Sequence, residues 1–287
     1  MTAESGLVVV DKSGGMTSHD VVARVRRLAG TRKVGHAGTL DPMATGVLVV
    51  GVNRATRLLG HLMLTEKGYD ATIRLGVSTT TDDAEGEVTA TVSTDGLEEA
   101  VVRAAAAEFV GELQQVPTAV SAIKVDGKRA YQRVRDGEQV ELKARPVTVH
   151  ELVVRDVALP EVRISVRCSS GTYIRAIARD LGSALGVGGH LTALRRTAVG
   201  PFDLSVARTL DELADDFAVL PITDAARSTF PVVDLTEEQA AHVRFGRALD
   251  LTVPGVGPHA VFAPDGEFLA LYEQSGARAK PVAVFVQ

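Results

Sequence analysis

The chain has 287 residues, 45% of them hydrophobic and 23% charged, with a single cysteine and a formal net charge of −5. That length buries a substantial core and that mix excludes a disordered chain, while the lone Cys168 excludes both an internal disulfide and a cysteine-rich zinc site. Mild overall acidity excludes a uniformly basic nucleic-acid binder, so any such surface has to be local.

The predicted elements run as follows. GLVVVDK (6–12) is a continuous apolar run and predicts a buried strand. Val21, Val22, Val25 and Leu28 keep helical spacing, with Ser18 as the expected N-cap and Gly30 as the stop. TGVLVVGV (45–52) predicts a second buried strand, and residues 53–64 predict a helix through Leu58, Leu59, Leu62 and Met63. YDATIRLG (69–76) alternates, which puts Tyr69, Ala71, Ile73 and Leu75 on an inward face. The alanine-rich stretch 97–113 predicts a scaffold helix. RPVTVHELVV and VRISVRC predict strands, the second with Cys168 as a small core residue, and a helix follows the SSGT turn at 169–172. From FPVVDLT (230–236) the texture changes to short strands and turns, with APDGE (263–267) as a hairpin signal. The mixed order predicts an α+β chain with a larger domain at 1–229 and a small β-rich domain at 230–287.

The chemistry concentrates in a few places. In the loop VGHAGTLDP, Pro42 biases Asp41 toward an extended backbone, while Gly35 and Gly38 admit a ligand closely. Asp41 is there either as a turn residue or as a reagent. Arg175 falls in the first turn of its predicted helix, where the macrodipole disfavours a cation. Its compensating anion is an RNA phosphate or a carboxylate such as Asp41, unless it is simply a tolerated surface arginine. Tyr69 is either a core residue with a bonded hydroxyl or a surface on which an extracted base stacks. The acid-free run 24–33 and the basic stretch 124–137 are solvated faces or phosphate contacts. No metal-ligand spacing, Walker loop, dinucleotide fingerprint or serine elbow is present, and a metal site built on His19, His36, Asp82 and Asp83 lacks the required pattern. The first residues carry no basic, apolar leader and no stretch is long enough to span a bilayer, so a cytoplasmic protein is expected.

GHAGTLDPMATGVLVV closely resembles the signature loop of the TruB family of tRNA pseudouridine synthases. LVVVDKSGGMTSHDVV, EKGYDATIRLG, TDDAEGE, QVPTAVSAIKVDGKRAY, CSSGTYIRAIARDLG and GGHLTALRRTAVGPF resemble further segments of that family in the same order. The resemblance implies a pseudouridine synthase fold with a mixed, mostly antiparallel sheet, and isomerisation of uridine-55 in the T-arm loop of tRNA after the base is flipped out. It implies Asp41 as the residue that cleaves the glycosidic bond, Tyr69 against the flipped base, and Arg175 paired with Asp41. It implies His36, Leu194, Asp83 and Lys67 around the substrate, and Lys124, Lys128, Arg129 and Tyr131 on an RNA-gripping thumb insertion at about 117–145. Residues 230–287 resemble a PUA-type RNA-binding domain. No cofactor, metal, membrane or obligate protein partner is implied, and a monomer is expected. The competing readings are the catalytic subunit of a guide-RNA pseudouridylation particle, an RNA-folding chaperone, and a metal-dependent nucleotide hydrolase.

Overall fold

The computed structural model describes residues 4–119, 124–125, 128–129 and 142–286. The chain opens with β1 (Gly6–Lys12), the predicted apolar run, and α1 (Ser18–Ala29). The cap is Thr17, one residue before the expected Ser18, which is the first residue of the helix. Thr17 forms the capping box, its hydroxyl accepting from the Asp20 amide at 3.1 Å while the Asp20 carboxylate accepts from the Thr17 amide at 2.9 Å. Ser18 is thereby released for another task, described below. Gly30 stops the helix in the left-handed region, as expected.

β2 (Val34–His36) and β3 (Thr45–Val52) flank the glycine-rich loop. The helix expected across 53–64 is instead a 3-10 segment at Asn53–Arg57 followed by the short α2 (Leu59–Leu62). β4 (Lys67–Leu75) shows the predicted alternation, burying Ala71, Ile73 and Leu75. A small ribbon, β5 (Val77–Thr79) with β6 (Val88–Thr91), leads to α3 (Glu99–Ala107). That helix is shorter than its alanine-rich sequence suggests, because Gly111–Gln115 is recruited as β7 beside the next strand. β8 (Lys124–Val125) and β9 (Lys128–Arg129) pair with each other. Then come β10 (Arg145–Ala158), β11 (Glu161–Cys168), α4 (Ile174–Ala184), β12 (Gly189–Val199) and β13 (Phe202–Asp203). α5 (Leu210–Asp215), β14 (Leu220–Pro221) and α6 (Ile222–Thr229) complete the larger unit.

The main sheet runs β14-β1-β3-β12-β4-β11-β10-β7, with β13 beside β12 and β2 beside β3. Every pairing in it is antiparallel except β3 with β12, which run parallel at Thr45–Arg195 and Gly46–Arg196. That seam is tight. Gly46 sits at φ 97°, and a Cβ there would overlap the carbonyl oxygen of Arg196. One face of the sheet packs Val8, Val10, Leu48, Val50, Ile73 and Ile164 against the apolar sides of α1, α3, α4 and α5. Cys168 is buried in this layer as expected, and burial pushes its thiol up to about 11.

After Phe230 the chain forms β15 (Val232–Asp234), α7 (Glu237–Arg244), β16 (His259–Phe262), β17 (Phe268–Ser275) and β18 (Arg278–Val284). These strands make a separate four-stranded sheet, with β16 and β17 joined by the predicted hairpin. The two units share apolar packing: Phe262, Phe268, Leu271 and Phe285 lie in one cluster with Leu7, Val9, Val47 and Val199 from the second face of the main sheet. Among the described residues no helix is long and apolar enough to cross a membrane.

Candidate active site

The loop between β2 and β3 is pinned from below. The hydroxyl of Ser18 donates to the Leu40 carbonyl at 3.1 Å and accepts from the Leu40 amide at 2.9 Å. Lys12, wholly buried at the end of β1, donates from Nζ to the carbonyls of Ser13, Met16 and Pro42 at 2.9, 2.7 and 3.1 Å. Burial lowers the Lys12 ammonium and the nearby Asp41 carboxylate opposes that shift. The amide of Gly15 also reaches the Pro42 carbonyl, at 2.8 Å. Asp41 thus stands on a backbone whose polar groups are already engaged, with a third of its side chain exposed.

Arg175 reaches Asp41 from the first turn of α4. Its Nε and Nη2 approach the two carboxylate oxygens at 3.0 and 3.2 Å, a forked pairing that fixes orientation as well as charge. The guanidinium is itself held from behind by Asp83 at 3.1 Å and by the Thr81 carbonyl at 2.9 Å. With side chains 6% and 4% exposed, Arg175 and Asp83 are nearly removed from solvent. The compensating anions are therefore carboxylates, which settles the alternatives left open for this misplaced cation. The helix start is supplied by Gln115, whose side-chain oxygen accepts from the Tyr173 amide at 2.8 Å and whose nitrogen donates to the Tyr173 carbonyl at 3.1 Å.

Burial raises the Asp41 carboxyl above its ordinary value; Arg175 pulls it down and the Asp83 charge pushes it up again. Arg175 favours the ionised form, yet desolvation outweighs it. Tyr69 behaves similarly: burial raises its phenol, and Arg196, which reaches the hydroxyl, opposes the rise only in part. The phenol is therefore neutral near pH 7.

Asp41, Tyr69, Arg175, Leu194 and Lys67 all line one cavity of about 280 Å³, at the small end of ligand pockets. Leu194 and Arg196 reach it because they alternate onto one face of β12, opposite Ala71 and Tyr69 of β4. Asp83 stands behind the cavity, touching it through Arg175. His36 is not in the wall; it lies on β2 with its ring edge-on to His19 at 5.6 Å. Lys124, Lys128 and Arg129 are placed as backbone in the β8–β9 ribbon, and Tyr131 lies outside the described residues. No group of three metal-ligating side chains occurs among the described residues.

Sequence reasoning missed Lys12, Arg196, Ser18 as a loop anchor, and Gln115. The first two carried a signal: Lys12 shares a strand face with Val8 and Val10, and Arg196 with Leu194, each a cation in a row of buried positions. The partners of Ser18 and Gln115 lie 22 and 58 residues away, beyond any local pattern.

Residues 26–174 match the TruB family pseudouridylate synthase (N terminal domain), residues 175–227 the tRNA pseudouridylate synthase B C-terminal domain, and residues 230–286 the tRNA pseudouridine synthase II C-terminal description. The tRNA pseudouridine synthase B of Nocardia farcinica (strain IFM 10152) is 61% identical over 285 residues, covering 97% of this chain and 92% of that one. The tRNA pseudouridine synthase B of Arthrobacter sp. (strain FB24) is 58% identical over 296 residues, covering 98% and 96%. Among solved structures, a chain from the crystal structure of a Cbf5-Nop10-Gar1 complex superposes with a TM-score of 0.77 at 27% identity, covering 98% of this chain and 85% of that chain. Fold and matched segments define a pseudouridylate synthase. The chain belongs to the TruB family, along most of its length.

Proposed function

We infer that the chain converts a uridine of tRNA to pseudouridine, and that its target is uridine-55 of the T-arm loop. The single observation that carries the chemistry is the Asp41 carboxylate, gripped through both oxygens by Arg175 at the wall of a cavity that Tyr69 and Leu194 also line. Isomerisation conserves electrons and atoms, so the reaction asks for no redox cofactor and no energy donor. It asks for a nucleophile, a closed space in which a uracil can turn, and a means of delivering the base.

Asp41 supplies the first. It attacks C1′ of the ribose as the bond from C1′ to N1 breaks, which divides one difficult substitution into two. A carboxylate raised by desolvation is more basic and more nucleophilic than one in water, and Arg175 fixes its direction of attack. Tyr69, neutral and inward, packs against the flipped base, its hydroxyl oxygen accepting from Arg196 while its proton stays available to donate. Leu194 closes the apolar side. His36 supports the emptied RNA loop from β2, and Asp83 maintains Arg175.

A uridine in a folded loop is out of reach until it is flipped. The exposed cations Arg26, Arg27, Arg32 and Lys33, with the thumb segment carrying Lys124, Lys128, Arg129 and Tyr131, grip the phosphates around it. Residues 230–287 act as a PUA-like domain on the same tRNA. Identity of 58–61% to the tRNA pseudouridine synthase B chains, against 27% to the Cbf5 chain, supports the tRNA-acting reading over the guide-RNA one; we propose a cytoplasmic monomer that needs no partner protein.

Incubation of the purified chain with an unmodified T-arm stem-loop, with no other protein or RNA, followed by nucleoside analysis tests substrate, reaction and independence together. Pseudouridine at one position is expected, unchanged by chelators. Product only with an added guide RNA would overturn the reading.

A further inference from the structure

Two cations in the cavity wall have no acid to answer them among the described residues. Lys67, 7% exposed, donates from Nζ to the carbonyls of Met63 and Thr65. Arg196, 1% exposed, donates from Nε to the Val47 carbonyl at 2.7 Å and from Nη2 to the Gly38 carbonyl at 3.2 Å. Carbonyl dipoles satisfy these donors without neutralising their charge. Arg175, in the same cavity, meets two carboxylates. A buried charge with no counter-ion is expensive, and Lys67 shows it: burial first, and Arg196 second, push its ammonium down to about 8. Two uncompensated cations facing one small cavity call for an anion that is present only part of the time.

We propose that Lys67 and Arg196 hold the uracil anion that exists between cleavage and rejoining. The assignment rests on the reaction inferred above and adds to it a second, electrophilic half. When Asp41 forms its bond to C1′ and the bond to N1 breaks, the electron pair passes to uracil, where N1, O2 and O4 share it. Lys67 has a third proton beyond the two given to carbonyls, and Arg196 has donors left after serving the Val47 and Gly38 carbonyls and the Tyr69 hydroxyl. Both find their partner only when that negative charge develops, which is the condition for accelerating a step rather than merely tightening binding. The anion turns within the cavity, C5 attacks C1′, and the pair of the C1′–O bond returns to Asp41. The proton lost from C5 and the one gained at N1 balance.

The test is single-turnover conversion of the stem-loop by Lys67→Met and Lys67→Arg, each with uridine and with 5-fluorouridine at the target, alongside RNA affinity. Fluorine spreads the charge of the leaving base and lessens its need for a cation. Lys67→Met should lose about 10²–10³-fold in cleavage of the uridine substrate, with the affinity within about threefold of the original chain. The loss should shrink about tenfold with 5-fluorouridine, and Lys67→Arg should recover at least tenfold. Equal losses on both substrates, a loss matched by weaker RNA binding, or an unimpaired Lys67→Met would each overturn the assignment while the parent chain remains active. An inactive parent chain would instead bring down the function itself.

Discussion

The surroundings of Asp41 and the four-stranded C-terminal sheet are built from opposite materials. Around the cavity the chain buries Lys12, Lys67, Asp83, Arg175 and Arg196, all charged. In the C-terminal sheet it buries Val261, Phe262, Leu269, Leu271 and Tyr272, with His259 as the buried ionisable residue besides Tyr272. Charges withdrawn from water weaken a fold unless every one is answered, whereas apolar side chains strengthen it in proportion to the area they hide. Since one apolar cluster runs from Phe262 and Leu271 to Val9 and Val47, the second region braces the first. Rate and stability should accordingly respond to different substitutions.

The sharpest separation is Asp41→Asn. Product formation should fall about 10⁴-fold or more, as for removal of a reacting group, while stem-loop binding persists. The thermal midpoint at neutral pH should not fall with it. The folded Asp41 is raised above its unfolded value, so the native state keeps the proton to higher pH and loses stability as pH rises from the ordinary carboxyl value through the higher folded one. A neutral amide escapes that loss. An inactive variant with a clearly lowered midpoint would break the contrast.

Arg175→Gln should cost about 10²–10³-fold in rate. Its pH profile is the finer readout. The acidic limb of the wild-type rate should lie above that of an ordinary carboxylate, and loss of the guanidinium removes an influence that lowers Asp41, so the limb should move to still higher pH. Movement to lower pH would contradict the described balance of burial and charge. Leu271→Ala probes the other region, and should destabilise the chain by about 3 kcal/mol in denaturant titration, with the rate of the folded enzyme within about twofold. A rate loss there as large as the stability loss would show that the two regions are not separable.

Much of this was legible from local pattern. The run at 6–12 is β1 without revision, and the alternation at 69–75 put Ala71, Ile73 and Leu75 inside as found. A cation in the first turn of α4 demanded an anion, and Asp41 at 3.0 Å is one of two that answer it. What escaped depended on partners distant in sequence. Thr17 and Ser18 are adjacent hydroxyls, and only Leu40, 22 residues on, decides that Thr17 caps while Ser18 anchors. The helix expected to 113 gives way because β10 needs a neighbour at Gly111–Gln115. The change of texture near 230 was visible in the sequence, but the apolar continuity between the two sheets was not, because the side chains concerned come from both ends of the chain.

The parallel seam at Gly46 has a consequence for any exhaustive substitution survey. The atom missing from that glycine leaves room for the backbone of Arg196, whose guanidinium faces the cavity. Position 46 should therefore read as intolerant in an activity screen even to alanine, although it does not line the cavity, and a homologue carrying another residue there would need a different strand crossing. Heritable freedom is narrow not only at Asp41 but also where these two parallel strands lie side by side.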